Sequence, residues 1–274
     1  MKWVRPKVTL LAGTMLYRTT VFEYLRERGV VEERLAAVMK TLSSVDSEAL
    51  VGLAGKRCYL SFEPGINPNV KRVRADYEEH LGHMLEVGHG SVLEHANYTF
   101  GIEGVSRVFT GEMNRHRAGM AISEGSMRFI SFDELVMVEP PSFRRRPDSP
   151  EGMDMYDEIV RDAVKSIADM AETNYLAAIA ELRTLGYDSL PMERKKQLTS
   201  ALRRGIPMGI ATGGVWTGNV RALRHIITMR ADPAAEEEIR EVALMILAIL
   251  RSEAPTLFGD FDYEGRPQAA FWKR

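Results

Sequence analysis

Apolar residues recur at the three- and four-residue spacing of an amphipathic helix through most of the chain. This spacing predicts helices at 31–42, 48–60, 70–87, 105–115, 153–185, 195–204, 219–229 and 234–253. Shorter runs rich in β-branched and aromatic residues predict strands at 8–12, 97–103, 126–130 and 135–138. Because helices outnumber short strands and no internal repeat is present, the sequence predicts an α+β fold dominated by helix.

Glycine and proline mark the ends of several predicted elements. Gly104 is expected to end the strand that begins at residue 97. Asp232 and Pro233 fit the N-cap and the first position of the last long helix. The glycine-rich run 207–217 has no clear period, so the sequence predicts no element there.

A basic, proline-containing stretch at 140–151 interrupts the helical pattern. It fits either a domain boundary or an insertion. The length of the chain is compatible with one large domain that buries a substantial core. We therefore expect a single domain over residues 1–274, with a helical insertion around 140–186.

Charge and cysteine content restrict the possible classes of function. The formal net charge is -2, so no overall positive field favours nucleic acid, and no nucleic-acid partner is expected. Cys58 is the single cysteine, which excludes a disulfide within the chain. Its neighbours Lys56 and Arg57 could activate the thiol, but free cysteines are usually buried. The sequence therefore favours a buried, structural Cys58.

Neither a metal nor a membrane is expected as a partner. His89 and His95 suggest a metal only weakly, because no further ligand lies near them in the sequence. No window approaches the roughly 18 apolar residues of a membrane span. The N-terminal residues also lack the apolar run of a secretion signal. These observations predict a cytoplasmic location.

The densest group of polar side chains lies between Asn114 and Arg128, with three arginines, a histidine, a glutamate and two serines. A guanidinium presents a planar fork of donors that fits phosphate. Gly119 and Gly125 would let backbone amides approach an anion closely. Most runs of charge are nevertheless solvated loops. Composition alone supports an anion-binding site and a solvated loop about equally.

A second basic group lies on the predicted helix at 219–229 and just beyond it. Arg221 and His225 share one face of that helix, whereas Arg230 would lie about 140° around the axis from His225. One small ligand cannot easily touch both faces. Either the helix serves two sites, or two subunits meet there. Ordinary basic residues on a helix surface would give the same pattern, and composition alone favours that interpretation.

At Arg115-His116-Arg117 the sequence resembles the flavin-dependent thymidylate synthases, whose hallmark is Arg-His-Arg, a spacer of seven residues, and then Ser. The matching serine is Ser126, which is followed by residues similar to the family's Ser-x-Arg-aromatic pattern. Further blocks similar to the family, in the family's order, lie at 93–100, 104–107, 203–207 and 219–232.

The resemblance implies an antiparallel sheet flanked by helices, and a homotetramer whose sites are shared between subunits. It implies FAD contacts from Asn97, Arg115, His116, Arg117, Glu124, Asn219, Arg221 and His225. It implies nucleotide contacts from Glu112, Arg115, Glu124, Gly125, Ser126, Met127, Arg128, Arg203 and Arg230. It also implies catalytic roles for Arg230, which would favour ionisation of the pyrimidine N3, for Ser126, and for His95 near the flavin and folate.

The implied reaction is methylation of carbon 5 of a uridine monophosphate, either dUMP or UMP. 5,10-Methylenetetrahydrofolate supplies the carbon, reduced FAD supplies the hydride, and NADPH reduces the flavin again. A fixed arginine that polarises the ring would enrich carbon 5 without a cysteine adduct. An inert Cys58 agrees with this chemistry.

Two departures from the family pattern concern the substrate. The spacer 118–125 has eight residues, one more than the commonest form, and its first five are unusually apolar. The helix at 153–185 is longer than in compact members. These departures favour the hypothesis that the chain methylates UMP as well as dUMP, as relatives in nucleoside-antibiotic pathways do. Three alternatives are a UMP-preferring methylase of specialised nucleoside metabolism, a flavin- or nucleotide-binding protein without methyl transfer, and a helical regulatory protein that binds a phosphorylated metabolite.

Overall fold

The computed structural model describes residues 1–127, 133–144 and 154–268. The α-helices in these ranges are α1 (Arg18–Glu27), α2 (Glu32–Met39), α3 (Asp46–Tyr59), α4 (Tyr77–Glu86), α5 (Arg107–Met113), α6 (Met155–Thr184), α7 (Met192–Leu202), α8 (Val220–Arg230), α9 (Glu237–Glu253) and α10 (Pro255–Phe258). The strands are β1 (Lys2–Val4), β2 (Lys7–Gly13), β3 (Asn97–Ser106), β4 (Met120–Glu124), β5 (Val136–Val138) and β6 (Ala211–Asn219). Short 3₁₀ helices span Gly90–His95, Pro141–Arg144, Tyr187–Ser189 and Arg203–Gly205.

Four strands form an antiparallel sheet in the order β2-β3-β6-β4. In the long central pair, Asn97 of β3 lies opposite Asn219 of β6, and Ser106 lies opposite Ala211. The separate strands β1 and β5 pair in parallel. Helices supply most of the remaining structure. The predicted α+β class is therefore confirmed, with an antiparallel sheet.

One face of this sheet carries the main hydrophobic core. Tyr98, Phe100 and Ile102 alternate along β3 and are buried on that face. Trp216 of β6 packs edge-on against Phe109 of α5, with ring centroids 5.9 Å apart. Helices α4, α8 and α9 complete this core. Each large apolar side chain buried here stabilises the fold by roughly 1.5–3 kcal/mol.

Two smaller hydrophobic clusters lie beside the main core. One joins α1, α2 and α3 around Leu35 and Phe62, and the other joins β5 and α6 around Met137 and Tyr175. The long helix predicted at 153–185 is confirmed as α6. The domain organisation stays a prediction.

A buried polar contact fixes the junction between β3 and α5. Glu238 of α9 accepts hydrogen bonds from the Ser106 backbone N–H, at 2.7 Å, and from the Ser106 hydroxyl. The same hydroxyl oxygen caps α5, since it accepts from Val108 N and Phe109 N, each at 3.1 Å. Burial raises the pKa of Glu238, and the two bonds from Ser106 oppose that shift.

The helix predicted at 70–87 begins seven residues late, at Tyr77. The Asp76 side chain caps it by accepting a hydrogen bond from Glu78 N at 2.8 Å. The Arg74 carbonyl instead accepts a bond from Lys56 Nζ at 2.9 Å. The preceding segment is therefore drawn onto α3 rather than wound into helix.

The prediction that Gly104 ends its strand is wrong. β3 continues through Gly104 to Ser106, with a register shift between Glu103 and Val105. Gly104 has φ +68°, and an added Cβ would lie 2.5 Å from the Arg5 carbonyl oxygen. The glycine therefore permits a bulge, and α5 begins two residues later than predicted, at Arg107.

The run 207–217, for which the sequence predicts no element, contains most of the interior strand β6. An added Cβ at Gly214 would lie 2.2 Å from the Ser123 carbonyl oxygen, so close strand contact requires glycine there. Glycine also removes the side-chain alternation by which strands are predicted.

The predicted start of the last long helix is also wrong. Asp232 accepts a bond from Ala234 N at 2.8 Å and forms a turn. α9 begins at Glu237, and the Glu236 carboxylate caps it by accepting from Glu238 N and Ile239 N, each at 3.1 Å. An Asp-Pro pair suits a tight turn as well as a helix start, so this local pattern is ambiguous.

Cys58 is exposed, so its predicted burial is wrong. Cys58 lies on the solvent-facing side of the last turn of α3, together with Arg57 and Tyr59, whereas Lys56 in the same turn is buried. The strand predicted at 126–130 falls largely on residues 128–130, which lie outside the described residues. Within the described parts of the chain, no helix is long and apolar enough to cross a membrane.

Replacement of Ser106 by Ala should lower the free energy of unfolding by about 2–4 kcal/mol, because α5 loses its cap and a buried carboxylate oxygen loses its donor. Urea unfolding monitored by circular dichroism measures this loss. Ser166→Ala, at an exposed position of α6, is the matched control and should change stability little. A loss below about 0.5 kcal/mol for Ser106→Ala would contradict the structural role of the contact.

Candidate active site

Several residues predicted to bind the nucleotide meet in one cleft. The Arg203 cleft has a volume of about 530 Å³. It is lined by Arg107, Glu124, Gly125, Ser126, Met127, Arg203, Arg204, Ile206, Pro207, Met208 and Ile210. Three arginines and one glutamate face this space, so its charge is positive. The cleft can therefore attract a phosphate-bearing ligand.

The Glu124 carboxylate is held in a fixed position. Arg107 donates to it through Nη1 and to the Gly125 carbonyl through Nη2, the latter at 2.7 Å. Asn114 Nδ2 donates to the second carboxylate oxygen at 2.8 Å, and Asn114 Oδ1 accepts from Trp216 Nε1 at 3.3 Å. These contacts orient Glu124 as an acceptor at the cleft wall.

Sequence reasoning assigned Arg107 no individual site role, and Asn114 entered only as the first residue of the polar group that ends at Arg128. The available signal was the 104–107 block, which resembles the family, and the position of Arg107 directly after the capping residue Ser106. On the opposite side of the cleft, Arg203 and Arg204 are exposed in the 3₁₀ helix Arg203–Gly205. No carboxylate of the described residues forms an ion pair with either arginine.

Predicted flavin ligands meet in a second space, the His225 cleft, of about 390 Å³. Its lining consists of Glu94, Ala118, Gly119, Asn219, Arg221, Ala222 and His225. Asn219 Oδ1 caps α8 by accepting from Ala222 N at 2.8 Å. Asn219 N donates to the Gly119 carbonyl at 3.0 Å. The loop after the Arg-His-Arg motif is thus fastened to the start of α8.

Gly119 is required at this contact. Its φ is +72°, and an added Cβ would lie 2.5 Å from Asn219 Nδ2. Arg221 on the same helix end donates to Glu94 at 2.6 Å, and both side chains are about half exposed. An exposed ion pair is worth about 1 kcal/mol or less. Arg221 can therefore exchange Glu94 for an anionic ligand at small cost.

Arg230 is fixed by two neighbours. Its Nη1 donates to the Glu112 carboxylate at 2.5 Å, and its Nε donates to His116 Nε2 at 2.9 Å. The His116 ring also meets the His225 ring edge to face, with centroids 5.8 Å apart. His116 therefore links the two faces of α8 within one chain.

The contact with Arg230 requires neutral His116, because an arginine donates and Nε2 must accept. Burial, then the Arg230 charge, then His225 lower the pKa of His116 to about 4. His116 therefore holds Arg230 in place and, being neutral at neutral pH, places no second positive charge beside it.

The remaining described residues predicted to bind FAD or the nucleotide line neither the Arg203 cleft nor the His225 cleft. Asn97 begins β3, and its Nδ2 donates to the carbonyl of exposed His95 at 3.3 Å. Arg115 and Arg117 are exposed, and Arg115 lies 3.7 Å from the Glu112 carboxylate. Arg128 lies outside the described residues.

Arg224, part of the second basic group in the sequence, is structural. Its side chain is fully buried and forms two bonds to the Asp260 carboxylate, at 2.6 and 2.7 Å. The guanidinium carbon lies 4.7 Å from the Phe261 ring centroid. The basic residues of α8 therefore serve both the core and the surface.

The two clefts lie at opposite ends of β4 in one chain. Gly119 precedes this strand and Glu124 ends it, a separation of roughly 15 Å along the strand. Arg230 and His225 do not line the Arg203 cleft. One copy of the described chain therefore does not bring all predicted nucleotide ligands together. Among the described residues, no group of three or more His, Cys, Asp and Glu side chains is placed to hold a metal ion.

The chain matches known proteins over most of its length. The family model described as "Thymidylate synthase complementing protein" matches residues 40–256. The flavin-dependent thymidylate synthase of Mycobacteroides abscessus is 40% identical over 215 residues, which cover 78% of this chain and 79% of that protein. That of Corynebacterium glutamicum is 39% identical over 219 residues, covering 80% and 81%, respectively. The chain belongs to the flavin-dependent thymidylate synthase family. This membership confirms the resemblance and the predicted enzyme class, a flavin-dependent enzyme of the methyltransferase type.

For this flavin-dependent thymidylate synthase family member, an NMR titration of the imidazole nitrogens should give His116 a pKa of about 4. This pKa lies below the ordinary value of 6.5. Neutral His116 therefore contributes its full stabilisation above pH 6.5, and that stabilisation is lost as the pH falls from 6.5 toward 4. Arg230→Met should raise the pKa by removing a nearby cation. Arg221→Met is the control and should leave it unchanged. A pKa near 6.5 in the unaltered protein would contradict the proposed geometry.

Proposed function

We propose that the chain catalyses FAD-dependent methylation of carbon 5 of dUMP, with methylenetetrahydrofolate as carbon donor and NADPH as reductant. The observation that supports this proposal best is that Glu124, Gly125, Ser126, Met127 and Arg203 line one positively charged cleft. Family membership supports the flavin and the reaction type.

The His225 cleft fits an anionic part of FAD. Arg221 there has an exchangeable partner, and the N-terminal end of α8 favours negative charge. Ala118, Gly119 and Ala222 leave room beside it. When bound, FAD would supply the hydride chemistry. The protein residues would orient it and shield it from water.

The Arg203 cleft fits the nucleotide. Arg203 and Arg204 would bind its phosphate, since guanidinium groups match the geometry of phosphate oxygens. The fixed Glu124 carboxylate would accept a hydrogen bond from a sugar hydroxyl, and Ser126 would contact the nucleotide beside it. The neighbouring contacts of Arg107 and Asn114 hold Glu124 in place before the ligand arrives.

Arg230 would polarise the pyrimidine. Glu112 and neutral His116 hold its guanidinium in position, so little reorganisation is needed when negative charge develops on the ring. A cation beside N3 favours the deprotonated ring, which makes carbon 5 a better nucleophile. This role needs no thiol, which leaves the exposed Cys58 without a function in the reaction.

We further propose that a complete site combines two or more copies in a homotetramer. The support is that Arg230 and His225 lie apart from the Arg203 cleft within one chain. The sheet face opposite the main core also exposes apolar side chains, including Leu11 and Val215. A second copy that covers this face would bury them.

Purified protein incubated with methylenetetrahydrofolate, NADPH and dUMP should form dTMP, measured by chromatography. Arg230→Ala should lower the rate at least ~100-fold, as expected when one preorganised charged group is removed, and it should keep bound FAD. Arg183→Ala, an exposed arginine on α6, is the matched control. Survival of activity in Arg230→Ala would contradict the role of Arg230.

The same assay with UMP tests the finer substrate hypothesis. The spacer 118–125 contains β4, an edge strand, where added length is tolerated without breaking the β3–β6 pair. Methylation of UMP would support relaxed selection at the ribose 2′ position, and its absence would contradict that hypothesis alone. A yellow protein that methylates neither nucleotide would favour the alternative of a flavin-binding protein without methyl transfer.

A mixing experiment tests the shared site. Arg203→Ala and Arg230→Ala should each be inactive alone, whereas tetramers formed after dissociation and mixing of the two variants should recover part of the activity. Recovery is expected because some sites would receive an intact Arg203 cleft from one copy and an intact Arg230 from another. Mixed tetramers without recovery would contradict a site that joins these residues from different copies.

A further inference from the structure

A third cleft lies between the end of α3, the irregular segment 70–76 and α4. The Lys56 cleft has a volume of about 370 Å³. Its polar lining is rich in basic side chains: Lys56, Arg72, Arg74, His80, His83 and His89. Its described lining contains no aspartate or glutamate. None of its lining residues belongs to the Arg203 cleft or the His225 cleft.

Lys56 is a buried cation without a counter-ion. It is 1% exposed, and its Nζ donates to the Arg74 carbonyl at 2.9 Å. No carboxylate of the described residues forms an ion pair with it. Burial and the nearby Arg74 charge lower its pKa to about 8, so the amine is still mostly charged at neutral pH. A buried ammonium with one neutral acceptor is costly, and an anion in the cleft would offset that cost.

The two arginines at the rim add further positive charge. Arg72 lies 3.2 Å and Arg74 lies 3.4 Å from the same Glu79 carboxylate. These two arginines thus share one carboxylate, and Lys56 forms no ion pair with a carboxylate of the described residues. The side chain of Arg72 is 79% exposed and that of Arg74 is 34% exposed, so both can turn toward a ligand. His80, whose pKa is lowered to about 4 mainly by burial, adds no charge at neutral pH.

The cleft adjoins the proposed flavin site. His89 lines its rim, where its ring stacks on Tyr59 with centroids 5.9 Å apart. The next residue, Gly90, packs against Arg221 of the His225 cleft, because an added Cβ there would lie 3.0 Å from Arg221 Nε. A ligand with its anion near Lys56 would therefore lie beside the residues proposed to hold FAD.

We propose that the Lys56 cleft binds the 2′-phosphate of an NADP-type dinucleotide, the reductant of the flavin. This inference rests on the proposed function, which assigns the phosphates of FAD and of the nucleotide to the other two clefts. The folate carries carboxylates of single charge, whereas a phosphate monoester carries nearly two negative charges and accepts several donors. Lysine together with arginine is a suitable donor set for it.

The test uses the double variant Arg72→Ala/Arg74→Ala, because both arginines lie at the rim and their loss leaves the core intact. The unaltered protein should bind NADP⁺ more tightly than NAD⁺ in calorimetry, and NADPH should reduce bound FAD at lower concentration than NADH. In the variant, the KM for NADPH should rise about 10- to 100-fold, as expected for lost charged hydrogen bonds. The KM for NADH should stay unchanged.

Three further measurements and one control variant distinguish loss of the phosphate contact from general damage to the protein. Dithionite reduces the flavin without a dinucleotide, so its rate of flavin reduction should be unaffected in the variant. Arg26→Ala, an exposed arginine that likewise pairs with one glutamate, is the matched control. Inorganic phosphate should compete with NADP⁺ in the unaltered protein. Lys56→Met, like the double variant, should weaken the binding of NADP⁺.

Three outcomes would overturn the inference. They are an equal loss with NADPH and NADH, no change with either, and a raised KM for methylenetetrahydrofolate with NADPH unaffected, which would assign the cleft to folate carboxylates. Failure of the proposed function is recognised separately. In that case the unaltered protein, with its flavin reduced by dithionite, would form no methylated nucleotide.

Discussion

The contact between Glu238 and Ser106 is the constraint on which the site depends. It joins α9 to the end of β3, and its capping bonds set the direction of α5. Arg107 begins that helix and orients Glu124, while Glu112 near its end holds Arg230. A seven-residue helix would be marginal alone. The buried cap therefore fixes the helix whose residues hold both Glu124 and Arg230 in position.

Much of the fold follows from periodic burial, and the departures have local causes. α3, α6 and α8 are predicted because their apolar residues repeat at helical spacing. β6 is missed because its glycines allow close strand contact and leave no side-chain alternation. The start of α4 is misplaced because Asp76 and Lys56 satisfy backbone groups that a longer helix would use. Such competition between side chain and backbone is invisible to periodicity.

For the candidate site too, local sequence patterns could be recognised, whereas the contacts between distant parts of the chain could not. The block from Arg115 to Ser126 could be recognised because its residue types and spacing resemble a family. The sequence also indicated that Arg230 and His225 lie on different faces of α8. It could not indicate that His116 would bridge those faces, since that contact joins residues more than a hundred positions apart. The role of Arg107 was missed although it lies only 17 positions from Glu124, because the contact depends on how the chain folds back between the start of α5 and the end of β4.

The arginines divide by how firmly their counter-ions hold them. Arg224 is buried with Asp260, and its removal would leave a charge in the core. Arg107 and Arg230 are partly buried and bound to fixed glutamates, so they are suited to hold a reacting group in one geometry. Arg221 and Arg72 have exposed, exchangeable partners. Exchange costs little in water, and exposed pairs are therefore where an incoming anion can replace a carboxylate. The balance of burial and pairing thus separates arginines that stabilise the fold, such as Arg224, from Arg230, which we propose polarises a substrate, and from Arg221 and Arg72, which we propose bind anionic ligands.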